Sequence, residues 1–283
     1  MESLLNRKGF TLIELLIALV IGSVLMAGMY RTLLSQQQTY TAGSQVANMH
    51  QNARIAVEKM TREIRMAGSG NVNHLLSLPG GVNGFRNVIT PGNNSITIVG
   101  AFKQARRNNG GAISVTAAGK DPSTGKDTLV LNYATDDFDG AKHHFISIGG
   151  LQCNIVASRS VNTLLLDQPL AAGIVVGTPV FKAQAITYSL DLNHLALQRD
   201  ENTGGGAPDL AENIEQLEFR YILKNETIPR FYNDPYLASH LADIRMILVR
   251  AVARTDGKDP HLSRVGDGYR RRELSSYVEL RNL

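Results

Sequence analysis

The chain has 283 residues, 43% of them hydrophobic and 19% charged, with a formal net charge of +4. That length allows one large domain or two modest ones with ample core, and the apolar share excludes a disordered chain. A single cysteine, Cys153, excludes an intrachain disulfide scaffold and any CxxC zinc or redox site.

The first element is an apolar run from Phe10 to Tyr30, 21 residues with one charge, Glu14. About 20 apolar residues in a helix cross a bilayer, so the run is long enough to span. It is also long for the apolar part of a cleaved secretory signal, although Ala27-Gly28-Met29 imitates a cleavage site. Arg7 and Lys8 precede it, which puts the N-terminus in the cytoplasm and everything after Tyr30 outside. Glu14 needs a reason, because a carboxylate within a span costs several kcal/mol by insertion scales and is rare without a partner. A cut between Gly9 and Phe10 would create an ammonium able to serve as counter-charge, on the same chain or a neighbouring one. The plainer reading is an N-terminal anchor with an acid near its cytoplasmic end.

Lys8-Gly9 followed by Phe10-Thr11-Leu12-Ile13-Glu14 resembles the class III signal of type IV pilins and type II secretion pseudopilins. The resemblance implies cleavage after Gly9 by a prepilin peptidase and methylation of Phe10. It also implies that Glu14 pairs with the N-terminus of an adjacent subunit during assembly. Residues 1–9, with Arg7 and Lys8 near their end, would be the leader.

Helical periodicity continues past Tyr30. Val46, Met49, Ala53, Val57, Met60, Ile64 and Ala67 recur every three or four residues as one stripe, while Arg54, Glu58 and Arg62 form a solvated i,i+4 ladder. Gly68-Ser69-Gly70 supplies the stop. A helix from Phe10 to Ala67 is predicted, about 87 Å long at 1.5 Å per residue. The pattern divides it into an assembly half, 10–30, and an amphipathic half, 31–68. The proline that kinks major pilins is absent, and Gly22, Gly28 and Gly43 are the places for bending.

Beyond Gly70, short β-branched runs alternate with Gly, Asn and Ser. Strands are predicted at 95–99, 112–115, 128–133, 145–148, 154–157, 163–166, 179–181, 185–190, 195–199, 214–223, 244–253 and 273–281. Their spacing of about ten residues, with no helical pattern between them, predicts antiparallel sheet. Residues 244–250 alternate only partly, as in a strand buried on much of both faces. The stretches 80–111 and 201–208 read as surface loops and 234–242 as a short helix. The expected fold is α+β: a long N-terminal helix packed on a large antiparallel β-sheet domain, residues 69–283, as the pilin resemblance also implies.

The order of the C-terminal third, from Ile186-Thr187-Tyr188 through 211–221 and 244–250 to Tyr269-Arg270-Arg271-Arg272, is similar to PilW-type minor pilins and the J-type pseudopilin of type II secretion. Residues 71–178 carry no such likeness.

Candidate chemistry is sparse. Gly119–Asp127 has the ends of a phosphate-binding loop, but five residues separate its glycines where four are needed. Asp127 also stands where a metal-binding hydroxyl belongs, so the segment reads as a turn. Asp136, Asp137 and Asp139 suit a calcium ion or a solvated acidic turn, but the spacing is not that of an EF-hand. His143 and His144, being adjacent, point to opposite faces of a strand, and no zinc-protease spacing exists. Cys153 reads as a strand thiol, with an intermolecular bridge as the alternative.

Between Arg245 and Arg272 lie eight basic residues, ending in Arg270, Arg271 and Arg272. They mark either a nucleic-acid or partner contact or a set of solvated strand faces and salt bridges. No metal, cofactor or catalytic constellation is expected. The resemblance implies a minor pilin that initiates or caps a type IV pilus, with a secretion pseudopilin or a DNA-binding or adhesive module as alternatives. Its partners would be major and minor pilins met through the helix, prepilin peptidase, the inner membrane and the assembly platform. The subunit would sit as a single-pass inner-membrane protein with a periplasmic β domain until incorporated into the pilus.

Overall fold

Helix α1, Leu12–Arg65, is built from two unlike halves. In the computed structural model, which describes residues 10–107, 110–134, 137–138, 144–259, 262 and 266–282, it runs unbroken for 54 residues, about 81 Å. The large apolar side chains from Phe10 to Leu34 are 40–88% exposed. Farther along, Met49, Ala53, Val57, Met60 and Ile64 are buried, joined by Ala56 and Glu63. The 3.6-residue period turns this face onto the sheets.

The helix ends where glycine takes over. Gly68 and Gly70 have φ of 76° and 86°, a region that costs residues with a Cβ. At Gly70 an added Cβ would lie 2.5 Å from Ala101 Cβ and 2.8 Å from Ser147 Oγ. The turn therefore fixes both the helix stop and its seat on the sheet. A short helix, α2 (Asn73–Ser77), follows and buries Leu75 and Leu76.

Every strand pair is antiparallel. The first ten strands are β1 (Ile89–Pro91), β2 (Ser95–Gln104), β3 (Val115–Lys120), β4 (Asp127–Leu131), β5 (Phe145–Ile148), β6 (Gln152–Ser160), β7 (Thr163–Leu166), β8 (Val180–Asp191), β9 (Ala196–Asp200) and β10 (Asp209–Ala211). They form one sheet in the order β1-β2-β8-β5-β6-β7-β4-β3, with β9 on the second half of β8 and β10 on β9. A second sheet has the order β11-β12-β13, from β11 (Ile214–Leu223), β12 (Ile244–Arg254) and β13 (Arg271–Glu279). Between β11 and β12 lie helix α3 (Pro235–Ser239) and a 3-10 turn, Leu241–Asp243.

The amphipathic half of α1 lies against β12 and β13. The main core joins its stripe to the inner face of the second sheet (Leu217, Phe219, Tyr221, Ile247, Val249) and to Ile98, Ile186 and Tyr188 of the first. A second core, including Ile113, Leu129, Phe138, Ile146 and Leu164, lies under the other end of the large sheet. The β body is antiparallel throughout, as expected, and is divided into two sheets and two cores, a division the sequence pattern left open.

Three expectations need correction. The segments predicted at 179–181 and 185–190 are one strand, β8, because Lys182 and Gln184 are buried within it. Asp137 neutralises Lys182 at 3.1 Å and Glu201 accepts from Gln184, so residues that read as breaks are satisfied inside the sheet. Within the expected loop 80–111 lies β1, and β2 runs from the predicted start at Ser95 on to Gln104, past the predicted end at residue 99; α2 adds a short helix to the predicted elements. The run predicted at 112–115 is mostly a lead-in to β3, with only isolated bridges from Ala112 to Arg106 and from Ser114 to Pro179.

Candidate assembly and processing site

The start of α1 is a closed hydrogen-bonded unit. Thr11 is the N-cap: its hydroxyl accepts from the Glu14 backbone N–H at 3.3 Å, and the Glu14 carboxylate accepts from the Thr11 backbone N–H at 2.9 Å. The Thr11 hydroxyl also lies 3.0 Å from the same carboxylate oxygen. Thr-x-x-Glu is a capping-box pattern, legible in the sequence by its local spacing. It places an acid within the first turn, where the helix dipole favours negative charge. Glu14 has no ion-pair partner among the described residues and is exposed. Phe10, directly before the cap, is 88% exposed. Arg7, Lys8 and Gly9 lie outside the described residues.

Behind this cap stands the one helix of the described residues long and apolar enough to cross a membrane. A fully apolar exposed surface carrying one capped carboxylate can sit in lipid or against other apolar helices, with the acid ready to meet a cation.

The far end of α1 holds a polar cluster that sequence reasoning missed. Glu63 is buried and accepts from the Tyr188 hydroxyl at 2.6 Å and from Arg199 at 3.0 Å, while Lys59 lies 2.7 Å away, one turn back. Arg199 also reaches Glu201 at 2.8 Å. Burial opposes the Glu63 charge, but the bonds from Lys59, Tyr188 and Arg199 outweigh it and hold the carboxyl below its ordinary value. Burial, reinforced by the Glu63 charge, pushes the Tyr188 phenol up. The cluster ties α1 to β8 and β9.

The basic stretch is largely neutralised within the chain. Arg270 pairs with Asp259 at 2.6 Å, and Arg271 pairs with Glu215 at 2.5 Å and with Asp267. Arg250 bridges Glu273 at 2.8 Å and Glu218 at 3.3 Å, and Arg245 meets Glu279 at 3.2 Å. Arg254 lies 4.2 Å from the Tyr269 ring centroid. Arg271 holds the Glu215 carboxyl below the usual range. Arg272 is exposed and has no ion pair among the described residues.

Of the acidic turn, Asp136 and Asp139 lie outside the described residues. Asp137 is occupied by Lys182 and by the Arg106 backbone N–H at 2.8 Å. Among the described residues no group of three or more His, Cys, Asp or Glu is placed to hold a metal. Gly119–Asp127 is the β3–β4 hairpin, where Asp121 accepts from Ser123 and Thr124, and Lys126 pairs with Asp167 at 2.7 Å. His143 lies outside the described residues, and His144 packs on Phe145 with ring centroids 4.0 Å apart. Cys153 is buried on β6 and points its thiol at the Gly70 carbonyl, 2.9 Å away. Burial pushes that thiol up to about 12.

No curated protein and no solved structure matches the chain. Residues 4–30 match the prokaryotic N-terminal methylation motif, so the match spans Arg7, Lys8 and Gly9, the Thr11–Glu14 cap and the exposed apolar half of α1. That motif is the signal of type IV pilins and pseudopilins, and together with the helix and its β body it supports the pilin superfamily for this chain.

Proposed function

We propose that the protein is a PilW-type minor pilin, a structural subunit without catalytic activity that helps initiate or cap a type IV pilus. The observation that carries this reading is the coincidence of the methylation motif over residues 4–30 with a capped, exposed apolar helix. Prepilin peptidase, by this reading, adds water across the Gly9–Phe10 bond and releases the leader, residues 1–9. The new Phe10 amine, once deprotonated, then takes a methyl group from a methyl donor, whose bond to that carbon breaks, and is reprotonated, so its positive charge is kept. Residues 10–30 hold the subunit in the inner membrane, N-terminus cytoplasmic, before packing among the helices of other pilins on the assembly platform. Glu14, already bound to Thr11, offers its remaining lone pairs to the ammonium of an adjacent subunit and sets the axial register. Residues 69–283 form the periplasmic, later extracellular, body.

Mass spectrometry of the membrane and pilus fractions tests the first step. Methylated Phe10 at the mature N-terminus is expected, and an intact Met1 or a cut near Gly28 overturns the reading. Deletion of the gene tests the system: loss of surface pili and twitching is expected, whereas secreted proteins retained in the periplasm would identify a secretion pseudopilin instead.

A further inference from the structure

Helix α1 is held in two stretches and stands alone between them. Up to Tyr30 its surface is apolar, and in hydrocarbon the backbone N–H and C=O groups have only each other as partners, which enforces the helix. From Met49 onward the body enforces it. Met49, Ala53, Val57 and Met60 are buried, and Arg54–Glu58 and Lys59–Glu63 pair along the surface at 2.6 and 2.7 Å. Between these stretches every residue from 35 to 41 is exposed, as are Gly43 and Ser44. Tyr40, the only large ring there, is 80% exposed. Ser35, Gln38 and Thr39 share a cavity of about 410 Å³ with Asp259 and Arg270, so the body stands off from this part of the helix.

The residues of this neck, 35–44, are weak helix formers. Ser35, Thr39, Tyr40, Thr41 and Ser44 rank in the lower half of the helix scale, and Gly43 is the poorest short of proline. No Asp, Glu, Lys or Arg occurs between Arg31 and Arg54, so no i,i+4 ion pair supports the turns. The Thr39 and Thr41 hydroxyls donate to the Ser35 and Gln37 carbonyls, both at 2.9 Å. Bonds of this kind compete with the helix's own N–H groups for the same carbonyls and bend helices.

We propose that residues 35–44 are a hinge whose helical bonds open to water and close again, so that the β body swings as one unit about the anchored half of α1. Water surrounds this segment and replaces each opened bond. Lipid below and packing above leave no such substitute, which confines the bend to the neck. Gly22 and Gly28 lie in the apolar half, where an opened bond would face hydrocarbon. Helix on both sides spares the neck the cost of nucleation, so it re-forms as readily as it opens and acts as a hinge instead of a loose linker. The cavity beside Asp259 and Arg270 leaves room for a bend toward the body. The proposal goes beyond the pilin reading and needs only that residues 10–30 be held in a bilayer.

The test uses the full chain in phosphatidylcholine nanodiscs. Residue-resolved hydrogen exchange should show the amides of residues 39–44 exchanging at least about 100-fold faster than those of residues 57–64. Thr39→Ala, Thr41→Ala and Gly43→Ala combined put the best helix former at all three positions, and a methyl at Gly43 meets nothing within 4 Å. This variant should slow the neck amides by at least about tenfold and leave residues 57–64 unchanged. Spin labels at Met29→Cys and Arg272→Cys, both exposed positions, in a Cys153→Ala background report the swing directly. Their distance distribution should be broad in the parent and narrow in the triple variant. Neck amides as slow as those of residues 57–64 would overturn the proposal, and so would a distribution whose width is the same in both proteins.

Discussion

The Tyr188 hydroxyl donates to the Glu63 carboxylate at 2.6 Å across the main core, although 125 residues separate them in the chain. With Arg199 on the same carboxylate, this contact fixes the rotation of α1 about its axis, because a helix turned by one residue would drive Glu63 into apolar surroundings. Glu63→Leu leaves Arg199 with Glu201 alone and the Tyr188 hydroxyl without its acceptor, and should cost about 2–4 kcal/mol. Tyr188→Phe removes one bond to a charged group and should cost about 1.5–3 kcal/mol. Urea unfolding of the full chain in detergent measures both; a Glu63→Leu variant as stable as the parent would show the cluster to be dispensable.

The same carboxylate makes stability depend on acid. Glu63, Glu201 and Glu215 all titrate below the ordinary carboxylate value of 4.5 in the folded chain. The unfolded state therefore takes up protons first, so their stabilisation is complete above that value and drains away as pH falls through the folded ones. Melting temperature should be flat around neutral pH and fall below about pH 4.5. Glu63→Gln should lower it at neutral pH and make the acid limb shallower; an unchanged acid limb would remove Glu63 from the explanation.

Two glycines with similar backbone angles separate strain from crowding. Gly70 and Gly80 have φ of 86° and 91°. A Cβ at Gly70 meets Ala101 and Ser147, whereas one at Gly80 meets nothing within 4 Å. Gly80→Ala should cost about 1 kcal/mol from the backbone alone, and Gly70→Ala about 2–4 kcal/mol. Equal losses in thermal unfolding would mean that the seat of the helix end yields freely.

The position of Cys153 predicts silence. A buried thiol with its pKa pushed up to about 12 is almost wholly protonated at neutral pH. A maleimide or aromatic disulfide reagent should leave it unmodified in the folded chain and label it fully in guanidinium. Fast labelling of the folded chain, or a disulfide-linked dimer on a non-reducing gel, would show that β6 opens.

Glu14→Gln and Glu14→Ala divide the two duties of that residue. Glutamine at this position still closes a capping box but carries no charge, while alanine removes both. Under the proposed function each variant should be cleaved and methylated at Phe10 yet be largely missing from purified filaments. Only Glu14→Ala should lose helix at the N-terminal turn, seen by amide exchange. Normal incorporation of the Gln variant would remove the carboxylate from assembly.

Legibility followed how local the determining physics is. The stripe from Met49 to Ile64 was visible because a helix repeats its face every turn, and β5, β7 and β11 were visible as bounded β-branched runs. The continuity of β8 was hidden, since Lys182 and Gln184 look like surface residues until Asp137 and Glu201 are brought beside them. Glu63 was hidden for the same reason, being one more helix acid until Tyr188 and Arg199 arrive from distant strands. The Thr11–Glu14 cap is local and so available in the sequence, although the same Glu14 also reads as a lone charge in an apolar run. At Arg270–Arg272 the salt-bridge reading was open to the sequence, since Asp259 and Asp267 lie in the same stretch, whereas Glu215, 56 residues before Arg271, is brought there only by the pairing of the strands.

The packing of α1 against β13 also sets a timetable. These are the first and last elements of the described chain, and contacts between distant segments form late because their loop must close first. During synthesis the apolar half of α1 is complete and free to enter a bilayer while the strands that will cover Met49–Ile64 are still being made. A ribosome stalled before Arg271 would hold a chain with a finished anchor and an uncovered amphipathic face, open to proteases and chaperones. The apolar half of α1 is thus available to a bilayer before the body closes, and β13 is the latch of that body.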